Sequence, residues 1–489
     1  MSTELISGRL LGLLGSILVT ISLLMVPPMV IGIIDGQPEV ISAFAGSSII
    51  SSFFGVLFIV AFSGSRSSDK LTVAMAGTIL TGFIIALICG LPSIFLSPDA
   101  NIIMGFFDGM SAFTTMGTTS FPDADMIPRG LVLWVSIVGW FGGLLSIMVM
   151  LSILSACNSG GMQMHISPIS KGISGELSGR LYSAGRVLFP LYASLTLICF
   201  LLLWMGPMTA FEAFVRALGT LSTSGIYLPN SGVSISGFWS QLVIVIFMLI
   251  GMLNLDYHYA WAKGQHNIYS QDSETKFLWR ILMLALIAFI VLAIVGNSIV
   301  SSTIKAIWDS FFMIVSAAST TGLMPSSPGI TISAGMIVIL MVLASIGGEV
   351  ASTSGGLKTM RLAIVYRQLM DELHRLGHPR GVSVIRFSKS KVARKDMEAV
   401  WLLGSSFLAM IAMGTLMLAI LGLELQEALS MAIAAATTSG HLVNVLAPSF
   451  PGFAGLDPAE YIILSSLMFF GKFETTLIMG LMVRSVWRR

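Results

Sequence analysis

Charged residues are scarce in this chain: Asp, Glu, Lys and Arg make up 10% of its 489 residues, whereas 55% are hydrophobic. So few charges cannot cover the surface of a water-soluble protein of this length. Apolar runs of about 20 residues, the length that crosses the hydrocarbon of a bilayer, recur from end to end. The longest polar stretch, residues 360–396, is too short to bury a core of its own. The chain is therefore predicted to be an all-α integral membrane protein.

Cysteine and catalytic motifs are also sparse. The three cysteines, Cys89, Cys157 and Cys199, lie in or beside apolar runs, which argues against a disulfide framework or a metal cluster. Neither His-Glu-x-x-His nor the phosphate-binding Gly-x-x-x-x-Gly-Lys-Ser/Thr pattern is present. We therefore expect no enzyme activity and no organic cofactor in this chain.

Basic residues favour alternate connections between the apolar runs, and positive charge marks the cytoplasmic side of a membrane protein. That side is predicted to hold Arg66, Lys70, Lys171, Arg180, Arg186, Lys263, Lys276, Arg280, the run from Arg361 to Lys395, Arg484, Arg488 and Arg489. Following this alternation gives ten transmembrane helices with both termini in the cytoplasm. Their predicted spans are 10–34, 40–63, 71–96, 129–156, 185–206, 236–262, 277–299, 331–365, 399–422 and 460–486.

Four outer connections resemble one another, each with a half-length apolar helix followed by hydroxyl residues and a glycine. They occupy residues 106–121, 211–227, 308–325 and 426–444, and their glycines recur about every hundred residues. This periodicity predicts four re-entrant pore helices in pseudo-fourfold helix-pore-helix repeats. The predicted units are an N-terminal helix pair in 1–66 and pore repeats in 67–160, 161–270, 271–396 and 397–489, the third with a broken inner helix and a basic cytoplasmic segment.

A helix that stops inside the membrane leaves carbonyl groups unpaired at its negative end, which favours a cation. Non-helical backbone at that depth is tolerated where it lines water, and rings of carbonyls can replace a cation's hydration shell. Glycine would allow the positive φ that turns carbonyls inward. Alternatively, each small-residue stretch only lets helices pack closely. The predicted cation ligands are Thr114, Thr115, Met116, Gly117, Ser222, Thr223, Ser224, Gly225, Ser319, Thr320, Thr321, Gly322, Thr437, Thr438, Ser439 and Gly440.

These four segments resemble the Trk/Ktr/HKT superfamily of potassium and sodium transporters, and most of all its bacterial TrkH-type branch. The resemblance extends to Phe247–Tyr259, to the glycine-rich stretch Ile346–Arg361 and to the final helix. It implies one pore per chain, a homodimer in the bacterial cytoplasmic membrane, and a cytosolic nucleotide-binding ring of the TrkA type as partner. The transported ion would be K⁺, because sodium transporters of the superfamily carry serine where Gly117 stands here.

Ser352, Thr353, Ser354, Gly355 and Gly356 interrupt an apolar run and cannot form a comfortable helix. By resemblance this stretch is an intramembrane gating loop, although a packing kink would look the same. Further gating candidates are Lys358, Lys472 and Glu474. Lys472 stands where the family has a pore-facing arginine, whereas Lys358 either takes part in gating or snorkels to the surface. Glu349 and His441 have no assigned role.

Three functions are compatible with these observations. The first is potassium uptake through a central pore that is gated by the third repeat and by a cytosolic subunit. The alternatives are a sodium- or proton-coupled cation symporter, or a non-conducting sensor on the same fold. The basic segment 361–395 suits anionic lipid headgroups or the regulatory ring, and no nucleic-acid partner is expected.

Overall fold

The structure is a computed structural model that describes residues 8–64, 71–97, 100–121, 127–151, 177–226, 234–235, 237–300, 302–326, 328–378, 386–387, 390–392, 394–446 and 452–473. Helices dominate this part of the chain. Two pairs of two-residue strands accompany them: Ser234–Ile235 lies parallel to Met324–Pro325, and Arg386–Phe387 lies antiparallel to Ser390–Lys391. The first pair joins the outer connections of repeats two and three.

We group the helices by the predicted units and call them outer, pore and inner helices in chain order. The N-terminal unit contains Gly8–Leu24, Val26–Ile34 and Pro38–Ala61. Repeat one contains an outer helix in two parts, Leu71–Cys89 and Leu91–Leu96, the pore helix Ile102–Phe113 and the inner helix Arg129–Val149. Repeat two contains the outer helix Leu177–Trp204, the pore helix Ala210–Ser222 and an inner helix in two parts, Phe238–Met252 and Leu255–Ala262, followed by the short helix Ile268–Gln271.

Repeats three and four follow the same order. Repeat three contains the outer helix Ser273–Val295, the pore helix Thr303–Ala318 and an inner helix in two parts, Ala334–Ile346 and Thr359–Gly377. Repeat four contains the outer helix Arg394–Ile420, the pore helix Leu425–Thr437, the short helices Gly440–Leu442 and Val443–Leu446, and the inner helix Pro458–Lys472.

Seven helices in the described part of the chain are long and apolar enough to cross a membrane, and a bent pair makes an eighth. The seven are Leu10–Ile34, Pro38–Ala61, Ala76–Leu96, Arg129–Val149, Tyr182–Trp204, Ser273–Val295 and Met397–Ile420. The predicted span 331–365 is interrupted, and the part of span 460–486 after residue 473 lies outside the described residues. The helical membrane architecture is confirmed, and the count of ten stays a prediction.

The inner helix of repeat two differs from the predicted continuous span 236–262. Its two parts, Phe238–Met252 and Leu255–Ala262, meet at an angle of 100°. The Asn254 side chain accepts a hydrogen bond from the Asp256 N–H at 2.9 Å, so it caps a new helix in the middle of an apolar run. The helix axis therefore changes direction at Asn254, the N-cap of the second part.

The inner helix of repeat three is interrupted between residues 347 and 358, which we call the interruption. The chain leaves the helix axis after Ile346 and returns at Leu357, whose N–H donates to the Ser345 carbonyl at 2.9 Å. Gly347, Ala351, Gly356 and Lys358 all have positive φ, a backbone shape that no helix contains. The predicted break is therefore a loop that bulges from the helix and rejoins it one turn further on.

The pore helices end in the centre of the molecule. Their last residues, 107–113, 215–222, 312–318 and 430–437, are all buried. The outer helices lie at the periphery, and the outer helix of repeat three is only 22% buried along its most apolar stretch. Polar N-caps at Asn101, Thr209 and Ser302 start three of the four pore helices. Three pore helices thus begin at a side-chain cap, and all four carry their carbonyl ends into the protein interior.

Candidate ion pathway

Each pore helix passes directly into a four-residue turn, and we call these turns the pore segments: 114–117, 222–225, 319–322 and 437–440. The four segments share one backbone shape. The second residue of each is a threonine in the left-handed region: Thr115 (φ 67°), Thr223 (58°), Thr320 (60°) and Thr438 (54°). The third residue donates its N–H five residues back, at 2.8, 2.8, 3.0 and 2.9 Å in chain order. The four pore helices therefore end in the same way, with a threonine of positive φ followed by a residue whose N–H bonds five residues back.

The four pore segments also form a closed ring. Three glycines face the next segment: a Cβ would lie 2.0 Å from the Ser224 oxygen on Gly117, 1.8 Å from the Thr321 oxygen on Gly225 and 3.0 Å from the Met116 oxygen on Gly440. A Cβ on Gly322 would lie 3.2 Å from the nitrogen of Leu442, two residues after the fourth segment. The order runs from the first repeat through the fourth and back to the first. Such a cycle of contacts places one axis at the centre of the four segments.

Glycine conformation departs from expectation at one position. Gly117, Gly225 and Gly322 have the predicted positive φ of 74°, 50° and 75°. The prediction was wrong for Gly440, which begins a short 3₁₀ helix instead. Glycine is still needed there, because a Cβ would lie 2.6 Å from the Met116 side chain and 2.4 Å from that of Thr118. Close packing, and not backbone shape, explains this glycine.

The first hydroxyl of each pore segment holds its own helix. The hydroxyls of Thr114, Ser222 and Thr437 donate to the carbonyl four residues back at 2.7, 2.8 and 2.8 Å, and Ser319 donates three residues back at 3.1 Å. These hydroxyls therefore fix the backbone. The contacts of these hydroxyls thus support the helix backbone.

In pore segments two, three and four the second hydroxyl lies beside the interruption. The Thr223 hydroxyl donates to the Thr353 carbonyl at 3.1 Å, and the Gly355 N–H donates to the Thr320 hydroxyl at 2.9 Å. A Cβ on Gly355 would lie 2.9 Å from the Thr438 hydroxyl oxygen. The interruption thus lies directly against the pore segments of repeats two, three and four.

Lys472 supplies the contact with repeat one. Its ammonium group donates to the Thr115 hydroxyl at 2.7 Å and to the Thr353 carbonyl at 2.5 Å, and its side chain is 8% exposed. Lys472 therefore bridges the first pore segment and the interruption. Of the predicted gating stretch, Thr353 and Gly355 contact the pore segments, whereas Ser352 bonds to Glu349 and Ser354 within the interruption. Gly356 lies beside Ala344 and Gly347. The remaining predicted gating residue, Glu474, lies outside the described residues.

Lys358 is buried, with 5% of its surface exposed, so it does not snorkel to the membrane surface. Its ammonium group reaches the Ser354 carbonyl at 2.5 Å and the Ser352 hydroxyl at 3.3 Å. A cation held by carbonyl and hydroxyl oxygens of a loop stabilises the shape of that loop. Lys358 thus holds Ser352 and Ser354 of the polar stretch together.

Two buried carboxylates that sequence reasoning left without a role anchor the interruption. Glu274 Oε1 accepts the N–H groups of Val350 and Met360, both at 3.0 Å, and so holds residues near the two ends of the loop. Glu349 Oε2 accepts the Asn254 N–H at 2.9 Å, which connects the loop to the bend of repeat two. Glu349 was visible as a charge inside an apolar run; Glu274 had no comparable signal, since it begins an ordinary helix.

Buried charged side chains also brace the outer sides of three pore segments. The Asp108 carboxylate accepts the Ser120 N–H at 2.7 Å, and Asp309 accepts the Gly329 N–H at 2.8 Å. The Arg216 guanidinium donates to the Ile226 carbonyl at 2.9 Å. In each case a pore-helix side chain holds the chain that follows its own segment. Strong bonds to charged groups make the ring rigid.

Among the described residues, the ring offers oxygen atoms and no fixed negative side chain at its centre. Backbone carbonyls and hydroxyls with one bond already made keep lone pairs for a monovalent cation. Four carbonyl ends of pore helices converge there, and their dipoles favour positive charge. These features define the class of the protein: a membrane protein in which four re-entrant pore helices meet around one central axis.

Comparison with known proteins identifies the family within that class. The sequence profile of the TrkH family, described as cation transport protein, matches residues 40–483, so this chain belongs to the TrkH family. The protein is a multi-pass membrane transport protein and not an enzyme. The predicted resemblance is thereby confirmed.

The sequences of individual relatives align with most of this chain. The Trk system potassium uptake protein TrkH of Salmonella typhimurium is 28% identical over 405 residues, which are 81% of this chain and 82% of that protein. The protein of the same name from Vibrio parahaemolyticus is 26% identical over 97% of this chain and 98% of its own length. The crystal structure of the potassium transporter TrkH from Vibrio parahaemolyticus superposes with a TM-score of 0.86 at 23% identity, covering 98% of this chain and 99% of that one. Its fold is the fold described above.

Proposed function

We propose that this protein carries K⁺ across the bacterial cytoplasmic membrane through the centre of the ring of pore segments. The closed cycle of contacts among the four segments carries this proposal, because a ring of backbone oxygens around one axis is the arrangement that replaces the hydration shell of K⁺. Two relatives that are named potassium uptake proteins and the glycine at position 117 support the choice of ion. In this proposal the sixteen predicted ligand residues form the selectivity filter.

The interruption would act as the gate of this pathway. It lies against pore segments two, three and four, and Lys472 connects it to pore segment one. A polypeptide loop and a positive charge directly beside the ring oppose the passage of a cation. The described arrangement would therefore be the closed state, and conduction would require the interruption to move away from the ring.

A cytosolic partner would supply that movement. The helix Thr359–Gly377 continues directly from the interruption and carries Arg361, Arg367 and Arg375, so it is placed to transmit a pull to the loop. We propose that two copies of the chain assemble in the membrane and that a nucleotide-binding ring of the TrkA type binds this basic helix. Charge reversal at Arg375, which is half exposed, should weaken co-purification of such a ring; unchanged co-purification would place its binding site elsewhere.

Ion uptake into reconstituted vesicles tests the proposed function. Purified protein is placed in proteoliposomes with and without its co-purifying partner, and uptake of K⁺, Rb⁺ and Na⁺ is compared. Gly117→Ser places a side chain 2.0 Å from the Ser224 carbonyl, so it should reduce discrimination against Na⁺. Gly404→Ser is the matched control, because a Cβ at Gly404 meets no atom within 4 Å.

Uptake of K⁺ and Rb⁺ in preference to Na⁺, with the preference weakened by Gly117→Ser and kept by Gly404→Ser, is the expected result. Both variants must elute as single species in size-exclusion chromatography, so that a folding defect is recognised. Absence of uptake by the wild type even with the partner present would reject the pathway and favour a sensor on the same fold.

A further inference from the structure

His441 follows the glycine of the fourth pore segment and is 5% exposed. Its Nε2 atom lies 2.9 Å from the carbonyl oxygen of Gly117, in the first pore segment. A Cβ on Gly225 would lie 3.4 Å from the imidazole Cδ2, and one on Gly322 would lie 3.3 Å from the Cβ of His441. This one side chain therefore borders the pore segments of the three other repeats.

The direction of the hydrogen bond follows from chemistry. A carbonyl oxygen accepts hydrogen bonds and has no proton to give, so Nε2 must carry the proton that it shares with Gly117. The carbonyl has two lone pairs, and the imidazole uses one of them. This hydrogen bond leaves the other lone pair unused, and it fixes the position of the oxygen.

A ring whose oxygen atoms are held in place can discriminate between cations of different size. Na⁺ is smaller than K⁺, so a ring of oxygens must contract to coordinate it closely. The position of a backbone carbonyl within a turn is easily adjusted unless a second group holds it. Gly117 has such a group in the His441 imidazole.

We propose that His441 is a positioning residue for selectivity, whose Nε2–H holds the Gly117 carbonyl at the radius suited to K⁺ and prevents the ring from contracting around Na⁺. This inference rests on the proposed function. His441 is not one of the sixteen predicted ligands. In this proposal it does not bind the ion, and its side chain acts through the Gly117 carbonyl.

A matched pair of substitutions separates the hydrogen bond from the volume of the side chain. His441→Gln keeps a nitrogen donor at about the distance of Nε2, and His441→Met has nearly the same length and shape without a donor. The measurement is the ratio of Na⁺ to K⁺ uptake in proteoliposomes at equal ionic strength. We expect His441→Met to raise that ratio by roughly two- to tenfold, the range that one neutral hydrogen bond supports, and His441→Gln to stay near the wild type.

Equal ratios for the glutamine and methionine variants would overturn the inference, whether both match the wild type or both differ from it. If the methionine variant does not elute as a single species, His441→Ala serves as the second variant without a donor and is held to the same expectation. Wild-type protein that takes up no cation would reject the proposed function, and this inference with it. Wild-type uptake with an unchanged ratio in every variant would reject only the role of His441.

Discussion

At the scale of single residues, Lys472 has the most consequential set of contacts. It is a buried cation whose ammonium group bridges Thr115 in the first pore segment and Thr353 in the interruption. Hydrogen bonds from charged donors contribute about 1.5–3 kcal/mol each. The same charge lies beside the proposed pathway, where it repels entering cations. Both effects favour a closed pathway.

Lys472→Met should therefore raise basal cation uptake. Methionine keeps the length and apolar body of lysine and removes the charge and the donors. Loss of one charged hydrogen bond of about 1.5 kcal/mol shifts the balance between closed and open forms roughly tenfold. The measurement is Rb⁺ uptake into proteoliposomes without the partner.

Lys263→Met is the control for this substitution, because Lys263 is exposed and lies just after the inner helix of repeat two. It removes the same charge and should leave uptake unchanged. Equal uptake by Lys472→Met and the wild type would show that the bridge does not hold the pathway closed.

The four pore segments were recognisable from the sequence because hydroxyl residues and glycine recur at a constant place in the repeat. Their contacts were not. Whether a hydroxyl such as that of Thr114 binds an ion or its own helix depends on its rotamer. The bond from His441 to Gly117 joins residues 324 positions apart, so only the tertiary structure brings them together.

At the scale of elements, the interruption is a strained but well-anchored loop. Ala351 and Lys358 have positive φ, which is unfavourable for residues with a side chain. Its anchors are the Glu274 carboxylate at both ends and the Thr353 side chain in the middle, whose Oγ1 lies 2.9 Å from the Leu221 carbonyl and 2.8 Å from that of Gly251. Anchored strain of this kind suits a segment with two stable positions.

Thr353→Val should loosen the interruption while keeping its volume. Valine has the shape of threonine and lacks the hydroxyl, so the bond to repeat two is lost at a cost of about 1 kcal/mol. We expect basal Rb⁺ uptake without the partner to rise about fivefold.

Thr415→Val is the matched control, since Thr415 is a buried threonine whose hydroxyl bonds within the outer helix of repeat four, away from the ring. It should lose similar stability without gaining uptake. A similar rise for both threonine variants would indicate general loosening of the protein and not release of a gate.

The broken helix of repeat three was predictable because Ser-Thr-Ser-Gly-Gly stands out in an apolar run. The bend of repeat two was missed, although Asn254 with Asp256 in the following turn is a typical helix start. Apolar residues on both sides of Asn254 made the whole stretch resemble one span. The bend depends on Glu349 of the interruption, which accepts the Asn254 N–H, and such a partner is invisible in local sequence.

At the scale of the whole molecule, four repeats that differ in sequence build one symmetric centre. Their shared features are the left-handed threonine, the helix-ending hydrogen bond and the glycine that contacts the next repeat. Each segment completes the packing of its neighbour, so the ring forms only when all four repeats assemble. An ion bound at the axis would therefore stabilise the entire fold.

Potassium should accordingly raise the temperature of unfolding. A ligand that binds only the folded state stabilises it by about 2.7 kcal/mol at a hundred times its dissociation constant. We expect a higher unfolding temperature in KCl than in NaCl at equal concentration, measured in detergent by intrinsic fluorescence. Gly117→Ser should reduce the difference between the two salts, and Gly404→Ser should preserve it. Identical unfolding in both salts for the wild type would contradict a potassium site in the ring.

The order of the helices was the feature of the molecule that the sequence predicted best. Periodic glycines and alternating basic connections were enough to predict the order of outer, pore and inner helices, because membrane insertion restricts a chain to helices of limited length. The cycle of contacts from repeat one to repeat four was expected from the repeat itself. What the repeat did not predict is where its symmetry fails, as at Gly440, where a histidine follows the glycine and the backbone turns into a 3₁₀ helix.

We propose that one cation pathway passes through the ring of pore segments. Anomalous diffraction from crystals grown in Rb⁺ tests it most directly, because it locates the ion. Rubidium peaks are expected on the axis enclosed by residues 114–117, 222–225, 319–322 and 437–440, and they should weaken when K⁺ replaces Rb⁺. Rubidium bound elsewhere, with an empty ring in protein that takes up Rb⁺ in vesicles, would contradict it.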